Sequence, residues 1–502
     1  MVDVVLVNPG NQRKVFQGLS EEMTAIEPPL HCRHFASYLV ARGFSTEIVD
    51  AEAIGINGVE TAYSVVEEKP KLIVAVAHGS QPSATTQNMP AVMDFCFALK
   101  SIDANIPLMV VGGHPAALPE LTLIETGSDF IATGEGPIAI AGMLELIINR
   151  PFSWRWARKS KLPGVVCWDR DEIVRGDPAV NIWDLSEMPG GQWNELPMKM
   201  YRGHNWHCLQ EISRKPYASI ATSLGCPASC VFCNIQAPFR EGDKLRLKGN
   251  ANSYRMWPVD MVLDEVETLV EKYGVTNIKI TDEIFVLNYN HVKAICEGII
   301  ERGYGDKLNL WTYGRVDWTH EKYLDMLRRA GVKWLCLGIE AASNAVRDSV
   351  EKDDYGIEDI RQTCLRIKNA GINILANYIV GLPSDTRESM QETLDLAMEL
   401  KTEWANIYGC LTYPGAPLWN KTSNDKRNYN WSEYSHHGYE YKPAGNDNLS
   451  SKDVVEFRDA AFKKYFTDES YLSMIEKKFG SEAVESIKRM AAVPLKRKLL
   501  GD

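Results

Sequence analysis

Short apolar runs alternate with helical stretches twice along this chain, and a stretch with neither period separates the two sets. Such alternation commits a chain to parallel sheets, because parallel neighbours need a crossover and a helix is the usual one. In residues 1–150 the runs are Val4–Val7, Thr46–Val49, Leu72–Val76, Leu108–Val111 and Phe130–Ala132. They are mostly β-branched or apolar, as strands buried on both faces require. Helical stretches near 30–42, 87–101 and 137–148 fall between them. This is an α/β pattern, a doubly wound parallel sheet whose ligands bind outside the carboxyl ends of the strands. Three of those ends are glycine-rich: His78-Gly79-Ser80, Gly112-Gly113-His114-Pro115 and Gly134-Glu135-Gly136-Pro137. Residues 151–210, rich in Trp, Pro and Gly, read as a linker. The alternation resumes within 211–430, with strand ends at 219–222, 278–281, 308–311, 334–338, 374–381 and 404–411. Six units predict a partial (β/α)6 barrel, open because a closed one takes eight, with its chemistry at the carboxyl rim. From Trp431 to residue 502 the chain becomes charged and mostly helical, ending on the basic Lys496-Arg497-Lys498.

A chain of 502 residues exceeds what one core fills, so several domains are expected. Its formal charge of −11 argues against broad contact with nucleic acid or an anionic membrane, both of which attract a basic face. No apolar run reaches the ~18 residues of a membrane span. The start, Met1-Val2-Asp3, has acid where a secretory signal is basic, so a cytoplasmic protein is expected. Of the 11 cysteines, most are scattered, which points to reduced thiols or metal-bound thiolates rather than a disulfide framework.

Three cysteines are not scattered. Cys226-Pro-Ala-Ser-Cys230-Val-Phe-Cys233 directly follows the first barrel strand, putting three thiols in one loop at the catalytic rim. Such spacing lets a loop wrap a cubane corner, whereas structural zinc takes a closed set of four ligands. Three ligands on a 4Fe–4S cluster leave one iron open. The Cys-x3-Cys-x2-Cys pattern, with aromatic Phe232 before the last cysteine, resembles the radical S-adenosylmethionine superfamily. The resemblance runs over about 220 residues and implies a TIM-like core in which Cys226, Cys230 and Cys233 hold the cluster. It further implies that S-adenosylmethionine binds the open iron and is cleaved to a 5′-deoxyadenosyl radical. By the same resemblance, Asp282 and Glu283 in Thr281-Asp282-Glu283 bind the methionine amino group. Glu340 in Gly338-Ile339-Glu340 reaches the ribose and carboxylate, with Ala341 where the family has serine. Gly381 in Ile379-Val380-Gly381-Leu382-Pro383 packs on adenine. Arg315 brings a cation toward the rim, or else forms a structural ion pair.

The first domain resembles the Rossmann-like cobalamin-binding domain of the cobalamin-dependent members. That resemblance implies a cobalamin edge made by Gly112, Gly113, His114, Gly134, Glu135 and Gly136, with Ser80, Ser83 and Thr85 supplying hydroxyls to the corrin amides or nucleotide tail. The Asp-x-His-x-x-Gly motif that gives cobalt a histidine in other cobalamin proteins is absent, as is typical of the radical subset. His78 and His114 can equally serve as hydrogen-bonding loop residues. The implied reaction is methylation of an unactivated carbon through the radical and methylcobalamin. The alternative is oxidation, cyclisation or ring contraction with the same cofactors; a cobalamin carrier without catalysis fits the intact cysteine triad poorly. The expected partners are a small-molecule substrate and an external electron donor of the flavodoxin or ferredoxin type, with no nucleic acid and no membrane span. Leu411–Pro417 and Trp431–Tyr439 are the candidate substrate-facing stretches, and phosphonate, sugar, lipid, tetrapyrrole and peptide substrates all stay open.

Overall fold

The computed structural model describes residues 2–10, 12–20, 23–79, 81, 84–148, 161–209, 213–239, 253–352, 354–422 and 429–502. Strands β1 (Val4–Asn8), β2 (Thr46–Asp50), β3 (Leu72–Val76), β4 (Leu108–Val111) and β5 (Phe130–Ala132) form a parallel sheet in the order β2-β1-β3-β4-β5. Helices pack on both faces, so β3 and β4 are buried along their whole length. The chain leaves β1 for β2 on one side and crosses to β3 on the other. The carboxyl ends of β1 and β3 therefore flank the crevice where such sheets bind ligands.

The stretch read as a linker carries two strands. β6 (Val165–Asp169) pairs antiparallel with β5, and β7 (Glu172–Arg175) pairs antiparallel with β6, extending the sheet to seven strands. The remainder packs tightly: Trp193 is buried and lies under the guanidinium of Arg33, which pairs with Glu265 of a barrel helix.

The second sheet takes β8 (Tyr217–Ile220), β11 (Asn277–Ile280), β12 (Asn309–Arg315), β13 (Val332–Glu340), β14 (Asn373–Val380) and β15 (Trp404–Gly409) in chain order, all parallel. Its two outer strands, β8 and β15, do not pair with each other, so it is the expected open, six-stranded partial barrel. A short antiparallel pair, β9 (Ser223–Leu224) with β10 (Arg255–Met256), borders the cysteine loop.

The carboxyl-terminal helices begin later than expected, at Ser451 rather than Trp431. Ser450 caps the first of them with a reciprocal Asp453 contact, the capping box that fixes a helix start. Of helices Ser451–Thr467, Glu469–Phe479 and Ser481–Ala492, the first backs onto the sheet, with Phe466 against Trp404 at 4.8 Å and Val454 over Gly381, and the other two pack on it. Among the described residues no helix is long and apolar enough to cross a membrane.

Candidate functional site

The cysteine loop leaves β9 through Gly225, whose φ of +86° and whose contact with the Ser253 carbonyl exclude any side chain. Hydrogen bonds to its backbone then fix the loop. Gln236 Nε2 donates to the Cys226 carbonyl at 2.6 Å, and Cys233 N–H donates to the Cys230 carbonyl at 3.1 Å. Val231 N–H donates to the Val350 carbonyl at 3.2 Å, which ties the loop to the far side of the barrel. Phe232 is partly buried against an apolar cluster that includes Val231 and Leu382.

Burial pushes the Cys226 thiol up to about 12 and raises Cys230 and Cys233 as well. Lys352 and Arg315 pull Cys230 back down, Arg315 Nη1 standing 4.0 Å from its sulfur. Among the described residues no three His, Cys, Asp or Glu side chains are drawn together as one metal ion would need. A cubane fits this donor set better, because its cysteines bind separate irons and stand farther apart, and because nearby cations favour thiolate ligands.

Asp282 and Glu283, adjacent in sequence, have different surroundings. Asp282 is buried and accepts from Thr222 N at 2.7 Å, Thr222 Oγ1 at 2.6 Å and Ser223 Oγ at 2.6 Å, so its carboxylate is spent on tying β11 to the end of β8. Glu283 keeps one enclosed oxygen with no partner, and burial pushes its carboxyl up to about 7. Of the two, only Glu283 has an oxygen left for a cationic ligand.

Glu340 ends β13 at φ +66° and pairs with Lys352, a buried residue that sequence reading missed. Lys352 has no motif around it, and the link to Glu340 exists only after the chain folds back. Arg315 pairs with Asp317 at 2.7 Å and with Asp354, so it is both ion-paired and beside the cluster loop. Gly381 has φ +78°, but the space a side chain would fill belongs to Val454 at 2.7 Å.

In the first domain Ser80 and Ser83 lie outside the described residues. Thr85 Oγ1 donates to the Ala77 carbonyl and accepts from His114 N at 3.0 Å, which links the ends of β3 and β4. His114 is buried, with Nδ1 3.3 Å from Thr86 Oγ1 and its ring edge-on to Trp431 at 4.5 Å. Gly112, Gly134 and Gly136 make room for protein rather than open space. A Cβ there would stand 2.4 Å from the Ala77 carbonyl, 2.8 Å from Ala179 Cβ and 2.4 Å from Val111 Cγ2 respectively. At Gly113 the nearest atom is Thr85 Cγ2 at 3.3 Å. Glu135 holds Arg255 of β10 through two hydrogen bonds of 2.7 and 2.8 Å, a clamp between the domains.

What the first domain does present to the barrel is the switch point. Asn8 at the end of β1 with Pro9 beyond it, and His78 and Gly79 after β3, line a cavity of about 610 Å³. His78 stacks on His31 at 3.8 Å, and burial holds both neutral, His31 lowered to about 4. The amides Asn8, Gln81 and Asn88 border the same space, a donor set that suits the carboxamide-rich rim of a corrin. From the barrel side the cavity is lined by Phe232, Cys233 and Glu340, together with inward residues of β11 to β15. The two carboxyl rims thus face each other across one space.

Comparison with known proteins agrees with this arrangement. Residues 18–144 match the B12 binding domain model and residues 220–397 match the Radical SAM superfamily model. Together the two matches span more than half of the chain. It belongs to the cobalamin-dependent radical S-adenosylmethionine family. Within that family, an uncharacterized methyltransferase of Pyrococcus horikoshii is 26% identical over 415 residues, 81% of this chain and 82% of the relative. The anaerobic magnesium-protoporphyrin IX monomethyl ester cyclase of Cereibacter sphaeroides is 25% identical, covering 86% of this chain and 65% of its own length. In fold, the chain is similar to the radical S-adenosylmethionine methyltransferase TsrM of Kitasatospora setae, solved with cobalamin and a 4Fe–4S cluster. The TM-score is 0.68 at 16% identity, over 98% of this chain and 99% of that one. The family brings a 4Fe–4S cluster, S-adenosylmethionine and cobalamin with it.

Proposed function

We propose that this enzyme transfers a methyl group to an unactivated carbon of a small molecule. The observation that carries the reading is a cavity shared by the switch point of the first domain and the carboxyl rim of the barrel. When bound, cluster-ligated S-adenosylmethionine supplies a carbon radical and cobalamin supplies a transferable methyl group. The protein's share is to position, shield and charge-match. Cys226, Cys230 and Cys233 hold three irons. The enclosed oxygen of Glu283 receives the methionine ammonium, while Asp282 positions the loop that carries it. Lys352 keeps Glu340 oriented and, with Arg315, offsets the negative charge gathered at Cys230. The Glu135–Arg255 clamp holds the rims together, because a reactive carbon must meet its partner before solvent quenches it. The reading includes a cytoplasmic setting and an external one-electron donor of the flavodoxin or ferredoxin type, since each radical cleavage takes one electron that has to be supplied to the cluster from outside.

Anaerobic turnover with methyl-labelled S-adenosylmethionine tests it. Each labelled product should be matched by one 5′-deoxyadenosine and one S-adenosylhomocysteine. 5′-Deoxyadenosine without S-adenosylhomocysteine or added methyl would replace this reading by a cyclisation of the kind named for the Cereibacter relative.

A further inference from the structure

The lumen of the barrel is layered. Its floor is aromatic: Trp206 packs edge-on against Trp311 at 5.0 Å and against Trp334 at 5.2 Å, with Trp404 on the β15 side. One step toward the rim the layer turns polar. Strand alternation puts residues two apart on the same face, so Tyr313 stands above Trp311 and Asn406 above Trp404. Register sets Asn377 beside Asn406, and Lys279 beside Trp311. All of these except Trp334, which packs against Trp206, line the cavity that ends at the cluster loop.

The polar layer is short of acceptors. Lys279 Nζ is buried and donates twice to Glu27, at 3.0 and 3.2 Å, which leaves its third proton facing the lumen beside the rings of Trp311 and Tyr313. Asn406 Nδ2 donates to Asn377 Oδ1 at 3.0 Å, and Asn377 Nδ2 donates one proton to Cys336 Sγ at 3.0 Å and retains the other. Gln81 donates to the Tyr313 hydroxyl oxygen, so the phenol proton remains available. The Glu27 carboxylate is occupied by Lys279 and Ser219 Oγ, with His204 at 3.7 Å. A donor-rich layer over a flat aromatic floor, with the Lys279 ammonium buried so that its unspent donor is costly, is built for an acceptor-rich group on a flat body.

We propose that Lys279, Tyr313, Asn377 and Asn406 form the substrate subsite, and that it selects molecules carrying a carboxylate on an aromatic or other flat apolar frame. The carboxylate lies against Lys279 and Asn377, and the frame rests on Trp311 and Trp404. The assignment rests on the methyltransferase reading only for where the reacting carbon sits; binding itself does not depend on it.

The test is therefore equilibrium binding, without turnover, to the anaerobically reconstituted holoenzyme. The probes are 2-naphthoate and its uncharged isostere, naphthalene-2-carboxamide. Naphthoate should bind at least tenfold more tightly than the amide. Lys279→Met alone strands the buried Glu27 charge, so the double substitution Glu27→Gln with Lys279→Met removes the cation without that penalty. The double variant should lose at least tenfold for naphthoate, change less than threefold for the amide, and keep its cobalamin and cluster absorbance. Equal affinity for the two probes, no binding of either, or an unchanged naphthoate affinity in the double variant would overturn the proposal. The labelled-methyl assay is read separately, so failure of one reading does not carry the other with it.

Discussion

Glu283 shows how much a single neighbour decides. Next to it Asp282 has every acceptor used, while Glu283 is left with an enclosed, unpartnered oxygen and a carboxyl raised to about 7. A raised folded-state value means that the protonated form is the one burial favours. The stability this contributes is full below the ordinary carboxyl range and is lost as pH rises through about 7. In protein without ligands, Glu283→Gln should raise the melting temperature at pH 8, by an amount equivalent to about 1–3 kcal/mol, and change little at pH 5. The same substitution should weaken S-adenosylmethionine binding at pH 8 by tenfold or more, because a methionine ammonium gains most from a charged carboxylate. Calorimetry and equilibrium dialysis across that pH range check both. Asp282→Asn should behave differently, lowering stability at pH 8, since it weakens contacts to Thr222 and Ser223. Sequence placed both acids at the rim but could not tell them apart, because the difference lies in what β8 offers from 60 residues away.

At the level of elements, the cysteine loop and the eleven strands of the two alternating patterns announce themselves by period and spacing. β6 and β7 do not. Their turn, Asp169-Arg170-Asp171-Glu172, places Arg170 at φ +58° without the glycine or asparagine that usually marks a hairpin, and β7 is a partly exposed edge. The glycine-rich strand ends were legible as places of close approach, but not what approaches. Gly112 meets the Ala77 carbonyl and Gly381 meets Val454, both at positive φ. Gly112→Ala should therefore destabilise the first domain itself, lowering its unfolding midpoint before any cobalamin is added. Gly381→Val should cost roughly 2–4 kcal/mol through strain and displacement of the helix Ser451–Thr467. Hydrogen exchange should show that loss of protection concentrated at 451–492, where the helices part from β14 and β15. An unchanged exchange pattern there would mean that the helices do not depend on this contact.

For the whole molecule, the joint between domains is made of buried charge. Arg255 spans to Glu135, and Arg33 spans to Glu265 beneath Trp193. Removing one partner of such a pair leaves the other uncompensated, at about 3–5 kcal/mol when fully buried and less here because Glu135 is partly solvated. Arg255→Met should split a single thermal transition into two by calorimetry, with the lower one belonging to the domain that holds Glu135. None of these partners could be paired from sequence, since Arg255 and Glu135 lie 120 positions apart and the glycine-rich motif around Glu135 points to a ligand rather than to an arginine of the barrel.

Glu27 extends that dependence into the barrel's interior, where it is the acceptor for Lys279 across 252 positions of chain. At ~5–20 residues per second of synthesis, the acid emerges some 10–50 seconds before the lysine it will meet. During that interval a nascent barrel has no lumen charge to balance. The barrel completed without the amino-terminal segment has a cation without its counter-ion. Exchange of cobalamin-binding modules between related genes is thereby constrained. A recombination point placed between residues 27 and 279 imports a foreign acid, or none, into the heart of the next domain, so crossovers that look clean on the surface fail inside.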